Sequence, residues 1–370
     1  MKKFFAFISA LLLSLPQMAQ VERPRLVVGL VVDQMRWDYL FYYYNQFQKD
    51  GLRRFVDQGF SFENTFINYV PAVTAVGHSS IFTGSIPAFT GIVSNSFRMN
   101  GQKVYCCADT TVQSVGSNSR EGQMSPCNLL ASGIGDELKL ATDFKSKVIG
   151  VSLKDRSAIL PAGHGADAAY WWDTSAGHFV SSTYYMQELP EWVKRENQNI
   201  ATKPGTEVKT SVMGVTKTFQ MAEAALKNEQ MGQDDITDLL TISISSTDAL
   251  AHNFGIRGKE NFDSFMELDR QVARFFKALD EQVGRGKYLV FLSADHGGPH
   301  NHNFLTEHKM AAGGLDMGKK LKAMEADLVQ ELGISRVIIG HTDCKIYLDH
   351  EAIERGGKTI EEVRAAVCRK

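Results

Sequence analysis

Four apolar runs that each end in a charged or metal-ligating side chain constrain this chain more than any other feature. "LVVGLVVDQM" runs into Asp33, "KVIGVSLKDR" into Lys154 and Arg156, "LLTISISSTDALAHNFG" into Asp248 and His252, and "YLVFLSADHGG" into Asp295 and His296. Short β-branched runs of this kind alternate with segments of helical period, a pattern that predicts an α/β fold with a largely parallel sheet flanked by helices. Strands are predicted at residues 26–32, 147–153, 240–244, 288–292 and 336–339, with a further one at 345–348, and helices at 221–228 and 261–279. Residues 97–146 are polar, rich in Gly and Ser, and carry three cysteines, while residues 165–215 are aromatic and irregular. Both read as insertions or a cap over the core rather than as strands of it.

Length and charge narrow the field further. At 370 residues the chain can build one sizeable domain with inserted segments. Its formal charge of -2 and lack of a dense basic patch argue against nucleic acid as a partner. The first twenty residues, "MKKFFAFISALLLSLPQMAQ", place two lysines before an apolar run from Phe4 to Leu15. That order predicts an export signal over residues 1–20, a catalytic domain over 21–370, and a secreted or periplasmic protein. The run is shorter than the roughly 20 residues a spanning helix needs, so no stable membrane anchor is expected. In such a compartment Cys106, Cys107, Cys127, Cys344 and Cys368 could form one or two disulfides, the odd count leaving at least one thiol. The sequence assigns neither the pairing nor the oligomeric state.

In open α/β sheets the ligand crevice lies at the carboxyl ends of the strands. The four endings therefore deliver carboxylates, imidazoles and cations to one edge. Asp248 and His252 are four residues apart, so on a helix they share a face and can reach one metal ion. Asp295 beside His296 forms a second carboxylate–imidazole pair, and Asp33 adds another oxygen. Mixed nitrogen and oxygen donors suit zinc, and two clusters on one edge suggest a two-metal site. In "NYVPAVTAVGHSSIFTG", Thr74 follows a strand-like segment and precedes a helical one. Its hydroxyl is thereby set at a helix N-terminus, where backbone N–H groups favour an anion; simple capping of the helix is the alternative. His78 reads as structural.

The order of Asp33, Thr74 in "TAVGH", Asp248-x-x-x-His252 and Asp295-His296 resembles the alkaline phosphatase superfamily. It is most similar to the secreted, phosphate-irrepressible monoesterases with a Thr nucleophile, and the similarity runs from about residue 25 onward. The resemblance implies an enzyme that hydrolyses small-molecule phosphate monoesters with two zinc ions. One ion falls to Asp33, Thr74, Asp295 and His296, the other to Asp248 and His252. It implies a phosphothreonine intermediate on Thr74, a phosphoryl contact from Asn95 in "GIVSNSF", and phosphate contacts from Lys154 and Arg156. Two added cations favour a doubly charged monoester over a singly charged diester, which ranks a phosphodiesterase or nucleotide pyrophosphatase second. A sulfatase is disfavoured, since Thr74 does not stand in a Cys/Ser-x-Pro-x-Arg motif.

The family pattern completes the second zinc set with a His in a motif like "DTHVP", and no such motif occurs before Lys370. His300, His302, His308, His341 and His350 do not match that position. The resemblance therefore implies a carboxyl-terminal truncation and an incomplete second set, and leaves a catalytically impaired phosphate- or metal-binding fragment as a further alternative.

Overall fold

Seven of the described strands form one mixed sheet. The computed structural model describes residues 23–342 and 345–370, so the expected export signal and Cys344 lie outside the described residues. In chain order the strands are β1 (Leu26–Val32), β2 (Ser96–Met99), β3 (Gln102–Tyr105), β4 (Ser114–Val115), β5 (Val148–Ser152), β6 (Ala168–Asp173), β7 (His178–Ser182), β8 (Asp238–Ile244), β9 (Tyr288–Ser293), β10 (Ile338–Thr342) and β11 (Lys345–Leu348). Five neighbours, β6-β5-β8-β1-β9, run parallel, while β7 and β4 add an antiparallel edge. The α/β fold with a mainly parallel sheet is thus the one the sequence predicts.

Register decides what that sheet presents. Ser152 of β5 lies opposite Ser243 of β8, Ile244 of β8 opposite Val32 of β1, and Val31 of β1 opposite Ser293 of β9. The four strands end together, so the residues just beyond them gather at one edge. Every residue of β8 and of β5 is buried, which is why these runs are continuously apolar rather than alternating.

Strand β6 separates two cores. Tyr170 and Trp172 pack with Phe219, Phe265 and Leu268 on one face, whereas Ala169 and Trp171 pack with Ala158, Ile159 and Ala75 on the other. That split follows from the two-residue period of a strand. The helices Met213–Asn228 and Lys259–Leu279 cover the first face, and Thr74–Thr83 and Asp155–Ala162 the second.

Two sequence-based expectations need correction. Residues 165–215 do not lie over the sheet as a cap, because β6 and β7 are strands of it. Their aromatic run, Tyr170-Trp171-Trp172, is buried on both faces and so carries no alternating pattern. Within 97–146, β2 and β3 form a separate antiparallel hairpin and β4 joins the main sheet. The expected cross-links are also not formed among the described residues, where Cys106, Cys107, Cys127 and Cys368 are free thiols.

Among the described residues, strands β10 and β11 pair only with each other. They belong to a carboxyl-terminal unit with its own core of Leu328, Val337, Ile353 and Val363. Arg98 of β2 ties that unit to the hairpin through a 2.7 Å bond from Nη2 to the Ile339 carbonyl. Among the described residues, no helix is long and apolar enough to cross a membrane.

Candidate active site

The helix Thr74–Thr83 begins at Thr74, after the extended residue Val73. Val73 holds the N-cap position and has no side-chain donor or acceptor to cap the helix, so the Thr74 hydroxyl stands at a positive helix end. Gly77 lets this helix press against the end of β9, since a Cβ there would sit 2.2 Å from the Asp295 carbonyl oxygen. Beside it His78 is fully buried, with Nδ1 2.8 Å from the Thr74 carbonyl and Nε2 2.7 Å from Ser243 Oγ. His78 is structural, as the sequence suggests. It fixes the helix start to β8.

Lys154 caps the helix Asp155–Ala162 from the end of β5 and is buried. Its ammonium stands 2.6 Å from both Asp33 Oδ2 and Asp248 Oδ2, and 3.5 Å from Thr74 Oγ1. Asp248 and His252 lie on one helix, Ser246–Phe254, with His252 Nε2 3.1 Å from Asp248 Oδ1. The i, i+4 spacing does bring them together. His296 Nε2 is 3.6 Å from Asp33 Oδ1 and 3.7 Å from Asp295 Oδ2. Asn95 takes the Ala75 N–H on Oδ1 at 2.8 Å, which holds its carboxamide against the first turn of the Thr74 helix.

These groups shift each other's proton affinity. Burial raises Asp33 to about 6, the neighbouring Asp295 and Asp248 carboxylates push the same way, and Lys154 opposes them. Burial would raise Asp295 too, but His78, His296 and Lys154 outweigh it and hold it at about 2. At Asp248 burial is again overcome, here by the hydrogen bond with His252 and the charge of Lys154, and the carboxyl lies well below its ordinary value. The His252 imidazole is correspondingly raised by that hydrogen bond. Lys154 stays charged because Asp33 and Asp248 offset the cost of burying it.

A cation fits this cluster. Asp33, Asp248 and His296 offer ligand atoms within 4.8 Å of one another, and Asp33 Oδ1 is a buried carboxylate oxygen with no hydrogen-bond partner. Such an atom is costly unless something positive completes it. The cluster joins residues that the sequence divided between two sets, because parallel register brings the ends of β8 and β1 side by side.

Two contributors escaped the sequence reading. Gln34 has a left-handed backbone, φ 62°, donates its N–H to Asp295 Oδ1 at 3.1 Å, and donates Nε2 to Asp248 Oδ1 at 2.8 Å. Its only signal was its place beside Asp33. Tyr105, at the end of the hairpin, accepts a 3.0 Å bond from Arg156 Nη1, and no local pattern links residues so far apart in the chain.

A family model described as type I phosphodiesterase / nucleotide pyrophosphatase matches residues 27–367. The chain belongs to this family. Within the phosphodiesterase family it is similar to alkaline phosphatase PafA of Elizabethkingia meningoseptica, 43% identical over 93% of this chain and 72% of that protein. A Myroides odoratus relative described as a calcium-transporting ATPase is 40% identical over 95% of this chain and 74% of its own length. Alkaline phosphatase PhoV of Synechococcus elongatus is 42% identical over 80% of this chain and 62% of its own length. The crystal structure of wild-type PafA superposes with a TM-score of 0.88 at 42% identity, covering 93% of this chain and 76% of that one.

Proposed function

We propose that this chain hydrolyses phosphate monoesters, with Thr74 as nucleophile. The observation that carries the reading is the meeting of the Thr74 hydroxyl, the Lys154 ammonium and the Asp33–Asp248–His296 donors at one sheet edge. Two relatives described as alkaline phosphatases support it. So does a solved PafA variant substituted at a threonine, an asparagine, a lysine and an arginine, residue types that recur here in the same order as Thr74, Asn95, Lys154 and Arg156.

Asp33, Thr74, Asp295 and His296 would hold one zinc ion, with Asp248 and His252 offering ligands to a second. Bound there, the ions supply positive charge that stabilises oxygen anions along the reaction. The protein's own part is to bind and orient. Lys154 and Arg156 neutralise the phosphoryl oxygens, and Asn95 donates to one of them. The hydroxyl of Thr74, beside the Lys154 ammonium, would face phosphorus from the N-terminus of its helix, where N–H dipoles favour the anion. Attack forms the Thr74 Oγ–P bond and breaks the bond between phosphorus and the leaving oxygen; the Thr74 hydroxyl proton passes to solvent, and the leaving oxygen takes a proton from solvent and departs as an alcohol. Water then cleaves the phosphothreonine, returning Thr74 and releasing phosphate. The amino-terminal lysine-plus-apolar pattern further leads us to read the protein as exported.

Hydrolysis of a chromogenic phosphate monoester, with and without zinc, tests this reading beside Thr74→Ala. Zinc-dependent turnover that vanishes in the variant is the expected result. A folded chain without turnover refutes it, and faster diester than monoester hydrolysis favours the phosphodiesterase alternative.

A further inference from the structure

Arg156 is held from behind by the Tyr105 hydroxyl. Its Nη1 donates 3.0 Å to the Tyr105 hydroxyl, and that hydroxyl donates 2.5 Å onward to Asp155 Oδ1. Asp155 Oδ1 also accepts the backbone N–H of Arg156 itself, at the start of the helix Asp155–Ala162. The phenol has one proton. Given to the carboxylate, it leaves the oxygen lone pairs to face the guanidinium, so the direction of the relay is fixed.

The hairpin makes Tyr105 a rigid support. Tyr105 pairs across β2–β3 with Ser96, the residue after Asn95. Immediately after Tyr105, the Cys106 N–H donates 3.0 Å to the Asn95 carbonyl. One short hairpin therefore sets both the Asn95 carboxamide and the phenol behind Arg156. Burial, reinforced by the nearby Asp155 carboxylate, raises the Tyr105 pKa well above its ordinary value, which keeps the phenol protonated. With Nη1 committed to Tyr105, the Nε edge of the guanidinium remains, and Nε is a buried donor without a hydrogen-bond partner. A fork of donors in that state suits two oxygens of a phosphoryl group.

We propose that Tyr105 is a positioning residue that sets the preference for monoesters, by aiming the free edge of Arg156 at the phosphoryl oxygens that a diester would leave less charged or substituted. The proposal rests on the phosphate role given to Arg156 above. It distinguishes Tyr105 from a structural aromatic, because its effect must pass through one guanidinium.

The test uses zinc-loaded enzyme with an aryl phosphate monoester, the matching alkyl aryl diester, and inorganic phosphate as inhibitor. Four proteins are compared: wild type, Tyr105→Phe, Arg156→Ala and the double variant. A hydrogen bond to a charged group predicts that Tyr105→Phe lowers monoester kcat/KM roughly 10-fold and weakens phosphate inhibition to a similar degree. Diester kcat/KM stays within about twofold, the small change expected when the lost bond serves a charge the diester lacks. In the Arg156→Ala background the same change adds nothing, since the two residues act in series. Asp155→Asn, which weakens the acceptor of the phenol proton, gives the same monoester-selective loss.

Equal losses on monoester and diester, or an undiminished effect of Tyr105→Phe when Arg156 is already gone, would overturn the proposal. If Arg156→Ala itself leaves monoester turnover intact, the phosphate role of Arg156 falls and the proposal falls with it. If Arg156→Ala is impaired but Tyr105→Phe is not, only the proposal fails.

Discussion

A Cβ placed on Gly77 would lie 2.2 Å from the carbonyl oxygen of Asp295, so the Thr74 helix and the end of β9 touch backbone to backbone. That contact sets the distance between the proposed nucleophile and the carboxylate–imidazole pair. Ala at an ordinary helix position is more favourable than Gly by about 1 kcal/mol. Here the sign reverses. Gly77→Ala is expected to destabilise the fold by about 1–3 kcal/mol through overpacking, and to lower turnover more than a stability loss alone explains. Urea unfolding and monoester kinetics on the same preparation check both; a more stable, fully active variant would refute the contact.

Lys154 bridges two buried carboxylates, Asp33 and Asp248, at 2.6 Å each. Removing one partner of a buried ion cluster costs about 3–5 kcal/mol, so Lys154→Met in metal-free protein loses that order of stability. Zinc bound as proposed would supply positive charge to the same carboxylates. The loss therefore shrinks when zinc is added, and denaturant midpoints in chelator and in zinc measure the difference.

The orphan oxygen of Asp33 predicts metal-linked stability. An ion that binds only the folded state stabilises it by about 2.7 kcal/mol at a hundred times its Kd. Thermal unfolding across a zinc titration should show this rise in the wild type and little of it in Asp33→Asn. A parallel rise in both would mean that the ion sits elsewhere.

Away from the site, Asp173 anchors the loop around β4. Its carboxylate accepts from Ser117 Oγ at 2.7 Å, Ser175 Oγ at 2.6 Å and the Ala176 N–H at 3.1 Å. Burial opposes its ionisation, yet the hydrogen bonds from Ser119, Ser175 and Ser117 prevail and lower its pKa. A group depressed in the folded state stabilises it above the unfolded value of about 3.9 and loses that contribution as pH falls through the folded value. Asp173→Asn should thus cost about 2 kcal/mol at neutral pH, and the gap from wild type should close below pH 4. Unfolding curves at both ends of that range decide it.

The sequence by itself determined the strand-forming runs at β1, β5, β8 and β9, and which chemical groups follow each of them. A continuously apolar run and a charged ending are local properties of the chain, so they could be read without knowing a neighbour. The spacing of Asp248 and His252 was likewise legible, because one helix carries both. Only the tertiary structure decided that Ser152, Ser243, Val31 and Ser293 share a register, and hence that Lys154 falls between Asp33 and Asp248. It also turned the irregular aromatic stretch into β6, buried on both faces, and set Tyr105 behind Arg156. Those relationships join residues far apart in the chain through packing and strand order, for which no local period exists.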